Sequence, residues 1–284
     1  MKLPIEELPE TQFAEFGQYS LNWREAGNGA PVILLHGISS GSASWLCQLT
    51  DSSLTKGHRL IAWDAPGYLN SAQLATNTPV ALDFADALDA FLNGLGLQQV
   101  TLVGHSLGAL MVCAFASIHP QRVNGLFLAN PAQGYAAKHL EERNRIFEQR
   151  RDIVFNSGIE AYAQNRAAAL LSLSASKEKV EWVRKNMQKL NPDGFLAAAW
   201  MLAHDDIGLY LNAYQGEIKM VVGFEDTITP PKQVQQLAAQ KQSPLAVIKQ
   251  AGHASYLDAP DEFNGHLKQF LMTLNSDVSQ RKVP

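Results

Sequence analysis

Val100-Thr101-Leu102-Val103-Gly104-His105-Ser106-Leu107-Gly108 is the stretch whose reading decides the fold. A β-branched apolar run ends in Gly-x-Ser-x-Gly, and an Ala/Leu/Val-rich segment, Ala109 to Ala116, follows at once. Buried strand, abrupt turn and buried helix, in that order, are the context that makes these five residues a nucleophile elbow. So tight a turn forces its middle residue into a strained backbone, and Gly104 and Gly108 leave no side chain to strike the neighbouring strand or helix. The Ser106 hydroxyl then stands clear of the sheet at a helix N-terminus, where backbone N–H groups face a developing negative charge.

A serine hydroxyl is too weak an acid to attack a carbonyl unaided at neutral pH. It needs a base within hydrogen-bonding reach, and the base needs an orienting acid. Of the eight histidines, only His253 follows a buried strand in a small-residue turn C-terminal to the other candidates. His105 sits beside Ser106, so its side chain points away from the serine's and belongs to the pocket edge or to the layer that supports it. The acid expected is Asp226, three residues past Gly223 at the end of a core strand. Glu225 is its nearest rival, since either acid serves in this order of Ser, acid and His. The N–H of Ile38, in the loop His36-Gly37-Ile38, and that of Leu107, after the serine, are the candidate oxyanion donors. His36 itself is expected only to shape its turn. Asp64 precedes the serine at a Pro-Gly turn and is expected to bond its own backbone.

Working outward, two antiparallel strands between Gln12 and Glu25 turn at Gly17. Further buried strands follow at Pro31–Leu35, Arg59–Trp63, Val123–Ala129, Ile218–Gly223 and Leu245–Ile248. With the elbow strand these make eight, alternating with helices, so an α/β protein with a mostly parallel sheet flanked by helices is expected. Thr78-Pro79 resembles an N-cap and first-turn proline, before a helix with Leu82, Ala85, Leu88 and Leu92 on one face. From about Gln133 to Tyr214 no strand is apparent, only helical stretches: Leu140–Phe155, Ile159–Leu171, Lys177–Leu190 and Pro192–His204. An all-helical cap, residues 131–214, inserted after the sixth strand into a core of residues 1–130 and 215–284, is the domain organisation expected. The tail after Asn275 is polar and expected to fray.

A net charge of −4 without clustered Lys/Arg argues against a nucleic-acid surface. The N-terminus lacks the apolar region of a secretory leader, and no uncharged apolar run approaches a membrane span. Cys47 and Cys113 lack metal spacing, and Cys113 lies in the apolar elbow helix, as a buried reduced thiol would. A cytoplasmic enzyme needing no metal or organic cofactor is expected.

The motifs His36-Gly37, Asp64-x-Pro66-Gly67, Gly104-His105-Ser106-Leu107-Gly108, Gly223-x-x-Asp226-x-x-x-Pro230 and Gly252-His253 together resemble the capped α/β-hydrolases. The resemblance runs from Phe13 to Leu274, and Asp258-Ala259-Pro260-Asp261-Glu262-Phe263 is similar to that family's Glu-x-Pro-x-x-Phe, with Asp replacing Glu. It implies the α/β-hydrolase fold with Ser106, Asp226 and His253 as the triad. Serine at the elbow sets the chain apart from haloalkane dehalogenases and epoxide hydrolases, which carry Asp there. Gly41-Ser42-Ala43-Ser44-Trp45 and Asn191-Pro192-Asp193-Gly194-Phe195-Leu196-Ala197-Ala198-Ala199 resemble enol-lactonases of the 3-oxoadipate type. The turn Asp64–Ser71 is similar to that of meta-cleavage C–C hydrolases, whose fuller Gly-Pro-Gly oxyanion loop is absent here.

Hydrolysis of a small-molecule ester or lactone ranks first. A C–C hydrolase is the alternative on the same fold, and a ligand receptor with an idle triad the alternative of another class. For substrate contacts the candidates are His105, Trp45 and Arg166. Arg166 either clamps a substrate carboxylate bidentately or, the commoner fate, lays its stem along the helix with its head in solvent.

Overall fold

The structure, a computed structural model, describes Lys2 to Arg281, with side chains as far as Asn275. Its centre is an eight-stranded sheet: β1 (Gln12–Phe16), β2 (Tyr19–Ala26), β3 (Ala30–Leu35), β4 (His58–Asp64), β5 (Val100–His105), β6 (Val123–Ala129), β7 (Ile218–Gly223) and β8 (Leu245–Ile248). The spatial order is β1-β2-β4-β3-β5-β6-β7-β8. β1 and β2 pair antiparallel, as do β2 and β4, and the other pairs are parallel. Strands covered by helices on both faces have no solvent side to mark with polar residues. That is why β3 and β5 read as unbroken apolar runs, and both are buried almost throughout.

The register sets the site. Leu35 pairs with Gly104, Gly104 with Leu128, Ala129 with Val221, and Gly223 with Ile248. The residues that follow β3, β5, β6, β7 and β8 therefore leave the sheet along one edge. After β3 the chain moves outward to β4, then returns to place β5 on the other side of β3. At such a reversal two loops part and leave a crevice over the strand ends. Here those loops are His36–Gly41 and the elbow.

Helices Leu140–Asp152, Gly158–Arg166, Lys177–Met187, Pro192–His204 and Ile207–Ala213 separate β6 from β7, with no strand of the sheet among them. The first two, expected as separate runs, are joined by a π-helical turn, Ile153–Ser157. These helices touch the sheet's C-terminal edge at several points. The Tyr162 hydroxyl and Ser39 Oγ lie 2.7 Å apart. Ala254 N–H donates to Leu170 O at 2.7 Å. Gly194 packs against the backbone of Gly67, which has φ +84° and needs glycine itself.

Two details depart from the sequence expectation. The helix after β4 begins at Ala81 rather than at Pro79. Its N-terminus is held by carboxylates instead of Thr78, since Asp83 Oδ2 accepts from Val80 N–H at 2.7 Å and Asp205 Oδ2 from Ala81 N–H at 2.6 Å. The closing helix runs Pro260–Arg281, past the expected end at Asn275. Residues 282–284 of that tail lie outside the described residues.

A Cβ at position 194 would meet Gly67 Cα at 2.8 Å. Gly194→Ala should therefore cost about 1–3 kcal/mol of overpacking, lowering Tm by several degrees. Gly265→Ala, in the closing helix with nothing within 4 Å of its Cβ, should leave Tm unchanged or slightly raised. Calorimetry of both variants checks the pair.

Candidate active site

Ser106 has φ +51° and ψ −115°, a conformation that non-glycine residues adopt only under constraint. The constraint is visible on both sides. Ser106 N–H donates to Ala129 O at 3.0 Å, while Ser106 O accepts from Ala109 N–H at 3.0 Å and Ala132 N–H at 3.1 Å. A Cβ on Gly104 would lie 2.6 Å from Gly108 O, and one on Gly108 would run into the Leu35 backbone. Small residues at these two places let β5, β3 and the elbow helix Leu107–Ile118 approach closely enough to hold the turn.

From β8 comes His253, and from β7 comes Asp226. The ring Nδ1–H of His253 donates to Asp226 Oδ2 at 2.9 Å. Of the two adjacent acids it is Asp226 that meets the imidazole; Glu225 turns outward, accepting Leu173 N–H at 3.0 Å. Ser106, Asp226 and His253 are only 3–5% exposed. Ser106 and His253 line one cavity of about 320 Å³. The serine hydroxyl makes no hydrogen bond with the imidazole in the structure; catalytic bonds of this kind commonly tighten only in the substrate complex.

Asp226 is the most heavily bonded carboxylate here. Besides the imidazole, Oδ2 accepts from Asn130 Nδ2 and Thr229 Oγ1, each at 2.7 Å. Oδ1 accepts from Ile228 N–H at 2.7 Å and Thr229 N–H at 3.0 Å. Burial alone would raise this carboxyl, but the bonds from His253, Thr229 and Asn130 outweigh it and hold it well below the usual carboxylate range. Asn130 and Thr229 were not among the sequence candidates. Asn130, at φ +47° just past β6, also accepts from Ser255 Oγ at 2.6 Å and donates to Gly252 O at 3.3 Å. It ties the acid's loop to both flanks of His253.

The two candidate oxyanion amides belong to the two loops that border the crevice, Ile38 after β3 and Leu107 after β5. Among the described residues, neither the Ile38 N–H nor the Leu107 N–H, at the first position of the elbow helix, has a hydrogen-bond acceptor. The Ile38 loop is braced from behind. Tyr68 Oη donates to Ile38 O at 2.9 Å, and the ring of His36 spans from Gly37 O at 2.8 Å to Ala65 N–H at 3.1 Å. Burial lowers His36 to about 4, so it is neutral at pH 7 and structural, as expected. Asp64 departs from expectation. Its carboxylate reaches across to the loop after β3, accepting Ser42 N–H at 2.6 Å and Ser42 Oγ at 3.0 Å.

His105 lines the cavity, and its Nε2–H donates to His253 O at 2.9 Å. Burial and the neighbouring His253 lower it to about 3, so it steadies the histidine loop as a neutral ring. Trp45 is not brought to the cavity. It is fully buried behind His105 and packs on Tyr256 with ring centroids 4.9 Å apart. An aromatic placed near the oxyanion motif in sequence has turned into the core, where its large surface is better hidden. Arg166 lines the cavity while remaining exposed.

A family model described as the alpha/beta hydrolase fold matches residues 30–260. The 2-hydroxy-6-oxo-6-phenylhexa-2,4-dienoate hydrolase of Comamonas testosteroni is 24% identical over 269 residues, 90% of this chain and 93% of the relative. A thermophilic esterase from Thermogutta terrifontis superposes with a TM-score of 0.83 at 25% identity, over 93% of this chain and 99% of the esterase. The enol-lactonase from Burkholderia xenovorans LB400 shares the fold, with a TM-score of 0.82 at 18% identity, 92% of this chain and all of that one.

Burial raises the Asp64 carboxyl to about 6 despite its bonds to Ser42. A carboxyl raised on folding contributes stability below its unfolded pKa and loses it as pH rises through the folded value. An Asn at this position accepts Ser42 N–H through Oδ1 and donates from Nδ2 to Ser42 Oγ, without the buried charge. Asp64→Asn should therefore gain stability relative to the parent as pH goes from 4 to 7, by up to about 3 kcal/mol. Urea unfolding at the two pH values measures this, and a pH-independent difference would contradict it.

Proposed function

The chain belongs to the α/β-hydrolase fold family, and we propose that this hydrolase cleaves a small carboxylic ester or lactone through an acyl-enzyme on Ser106. The observation that carries the reading is the His253–Asp226 hydrogen bond beside the cavity that Ser106 and His253 share. Segment 131–214 acts as the cap over a core of residues 1–130 and 215–284. The two buried free thiols, Cys47 and Cys113, accord with a reducing, cytoplasmic setting.

Ser106 Oγ forms a bond to the substrate carbonyl carbon as its proton passes to His253 Nε2. The carbonyl π pair moves to oxygen, and the N–H groups of Ile38 and Leu107 donate to that oxyanion. Asp226 stays ionised and stabilises the imidazolium through Nδ1–H. When the tetrahedral intermediate collapses, the C–O bond to the alcohol breaks and the alcohol oxygen takes the proton from His253. With a lactone the alcohol remains attached to the acyl group. His253 then takes a proton from water as that water attacks the acyl carbon, and returns it to Ser106 Oγ as the acid departs. One water is consumed per ester cleaved.

The dienoate hydrolase among the relatives gives a second reading, C–C cleavage of a vinylogous diketone. It predicts an inert ester panel together with loss of colour from a ring-fission dienolate. For the leading reading, Ser106→Ala should reduce kcat on p-nitrophenyl butyrate by about 10⁴-fold or more with an unchanged circular-dichroism spectrum. Turnover by that variant at the parent rate would overturn the mechanism.

A further inference from the structure

The wall of the active-site cavity has one feature that general ester hydrolysis does not need. Its charged side chains are two arginines, Arg150 and Arg166, and no aspartate or glutamate lines it. The chain as a whole carries 27 acids against 23 Lys and Arg, so a lining of this kind is not a reflection of overall charge. Among the described residues, neither arginine has a carboxylate partner. Arg150 spends one Nη1 bond on Ile146 O, 3.0 Å away in its own helix, and Arg166 makes no hydrogen bond or ion pair with the described residues. Arg59, Arg122, Arg151 and Arg184 are ion-paired to Glu25, Asp89, Asp152 and Glu181; Arg24, Arg143 and Arg145 have no ion pair among the described residues, but none of these lines this cavity.

The two cations come from separate places. Arg150 lies near the end of Leu140–Asp152 and Arg166 at the end of Gly158–Arg166, on either side of the π-helical turn. Ile153, from that turn, lines the cavity between them in sequence. Two like charges on one small cavity repel unless an anion enters, and a planar guanidinium matches a carboxylate with two parallel bonds. The rest of the wall, including Ile38, Leu170, Leu202 and Ile228, suits an aliphatic chain.

Resting on the hydrolytic reading above, we infer that Arg150 and Arg166 select a substrate bearing a free carboxylate remote from the scissile bond, a half-ester of an aliphatic dicarboxylic acid. The carbonyl to be attacked lies at Ser106 and the carboxylate at the two helix ends. A neutral ester of equal length fills the same space but leaves both cations unanswered.

The test compares monomethyl succinate, glutarate and adipate with methyl butanoate, pentanoate and hexanoate. The parent enzyme should favour the best half-ester by about tenfold or more in kcat/KM. That ratio should fall about tenfold in Arg150→Gln, in Arg166→Gln, or in both. Calorimetric titration of glutarate into Ser106→Ala, with and without the two Gln substitutions, reads the same contact without turnover. A half-ester preference absent from the parent, or unaltered by both substitutions, overturns the inference while leaving ester hydrolysis standing. Arginine-dependent glutarate binding without cleavage of any ester would retain the carboxylate site and reject the hydrolytic reading. Neither binding nor cleavage would reject both.

Discussion

Everything at the site depends on one backbone torsion, the positive φ of Ser106. A serine there is strained by roughly 1–3 kcal/mol, and the strain persists because neighbouring strands leave no alternative path. Gly104 and Gly108 permit the close approach of β3, β5 and the elbow helix. Hydrogen bonds to Ala129, Ala109 and Ala132 then fix the peptide groups on both sides. Gly37 belongs to the same constraint, because a Cβ there would sit 2.9 Å from His105 Nδ1 and 3.1 Å from Ser106 Cβ. The loop carrying Ile38 can thus pass directly beside the serine.

A second set of interactions brings the loops after β6, β7 and β8 into one unit. Asp226 is buried as an anion, which is tolerable only because five donors surround it. Asn130 is the hub, reaching Asp226, Gly252 and Ser255 from a single side chain. Asp258 closes the far side by accepting Gly252 N–H at 2.8 Å and Ser172 N–H at 2.7 Å. His253 is therefore positioned by contacts to its ring, to its carbonyl through His105, and to the residues before and after it. The helical segment joins this unit at Ser172 and Leu170, so its placement and that of the imidazole are mechanically linked.

The sheet, and the placing of Ser106, Asp226 and His253 along one of its edges, could be read from sequence because each is signalled locally. Continuous apolar runs mark β3 and β5, and Gly-x-Ser-x-Gly forces the elbow whatever lies around it. Asp226 and His253 stand at strand ends where glycine breaks the run. The supporting residues carry no such signal. Asn130 precedes a proline and reads as an ordinary turn residue; its importance comes from β6 ending level with β7 and β8. Asp64 looks like a self-bonded turn residue, and only the adjacency of β3 and β4 turns it toward Ser42. Asp205 caps a helix 124 residues away in sequence, which no local pattern foretells. Trp45 illustrates the converse: the loop residues Ser39 and Ser40 before it line the cavity, while its own ring lies in the core.

In the proposed mechanism a strained serine, a carboxylate-bound imidazole and two backbone amides act on one carbonyl group. A crystal structure of the protein after treatment with an organophosphonate tests it most directly. Phosphorus should be bonded to Ser106 Oγ, with the phosphonyl oxygen about 2.7–3.1 Å from both the Ile38 and Leu107 nitrogens and His253 Nε2 within hydrogen-bonding distance of the adduct. An unmodified Ser106 after full exposure, or a phosphonyl oxygen directed away from both amides, would contradict it.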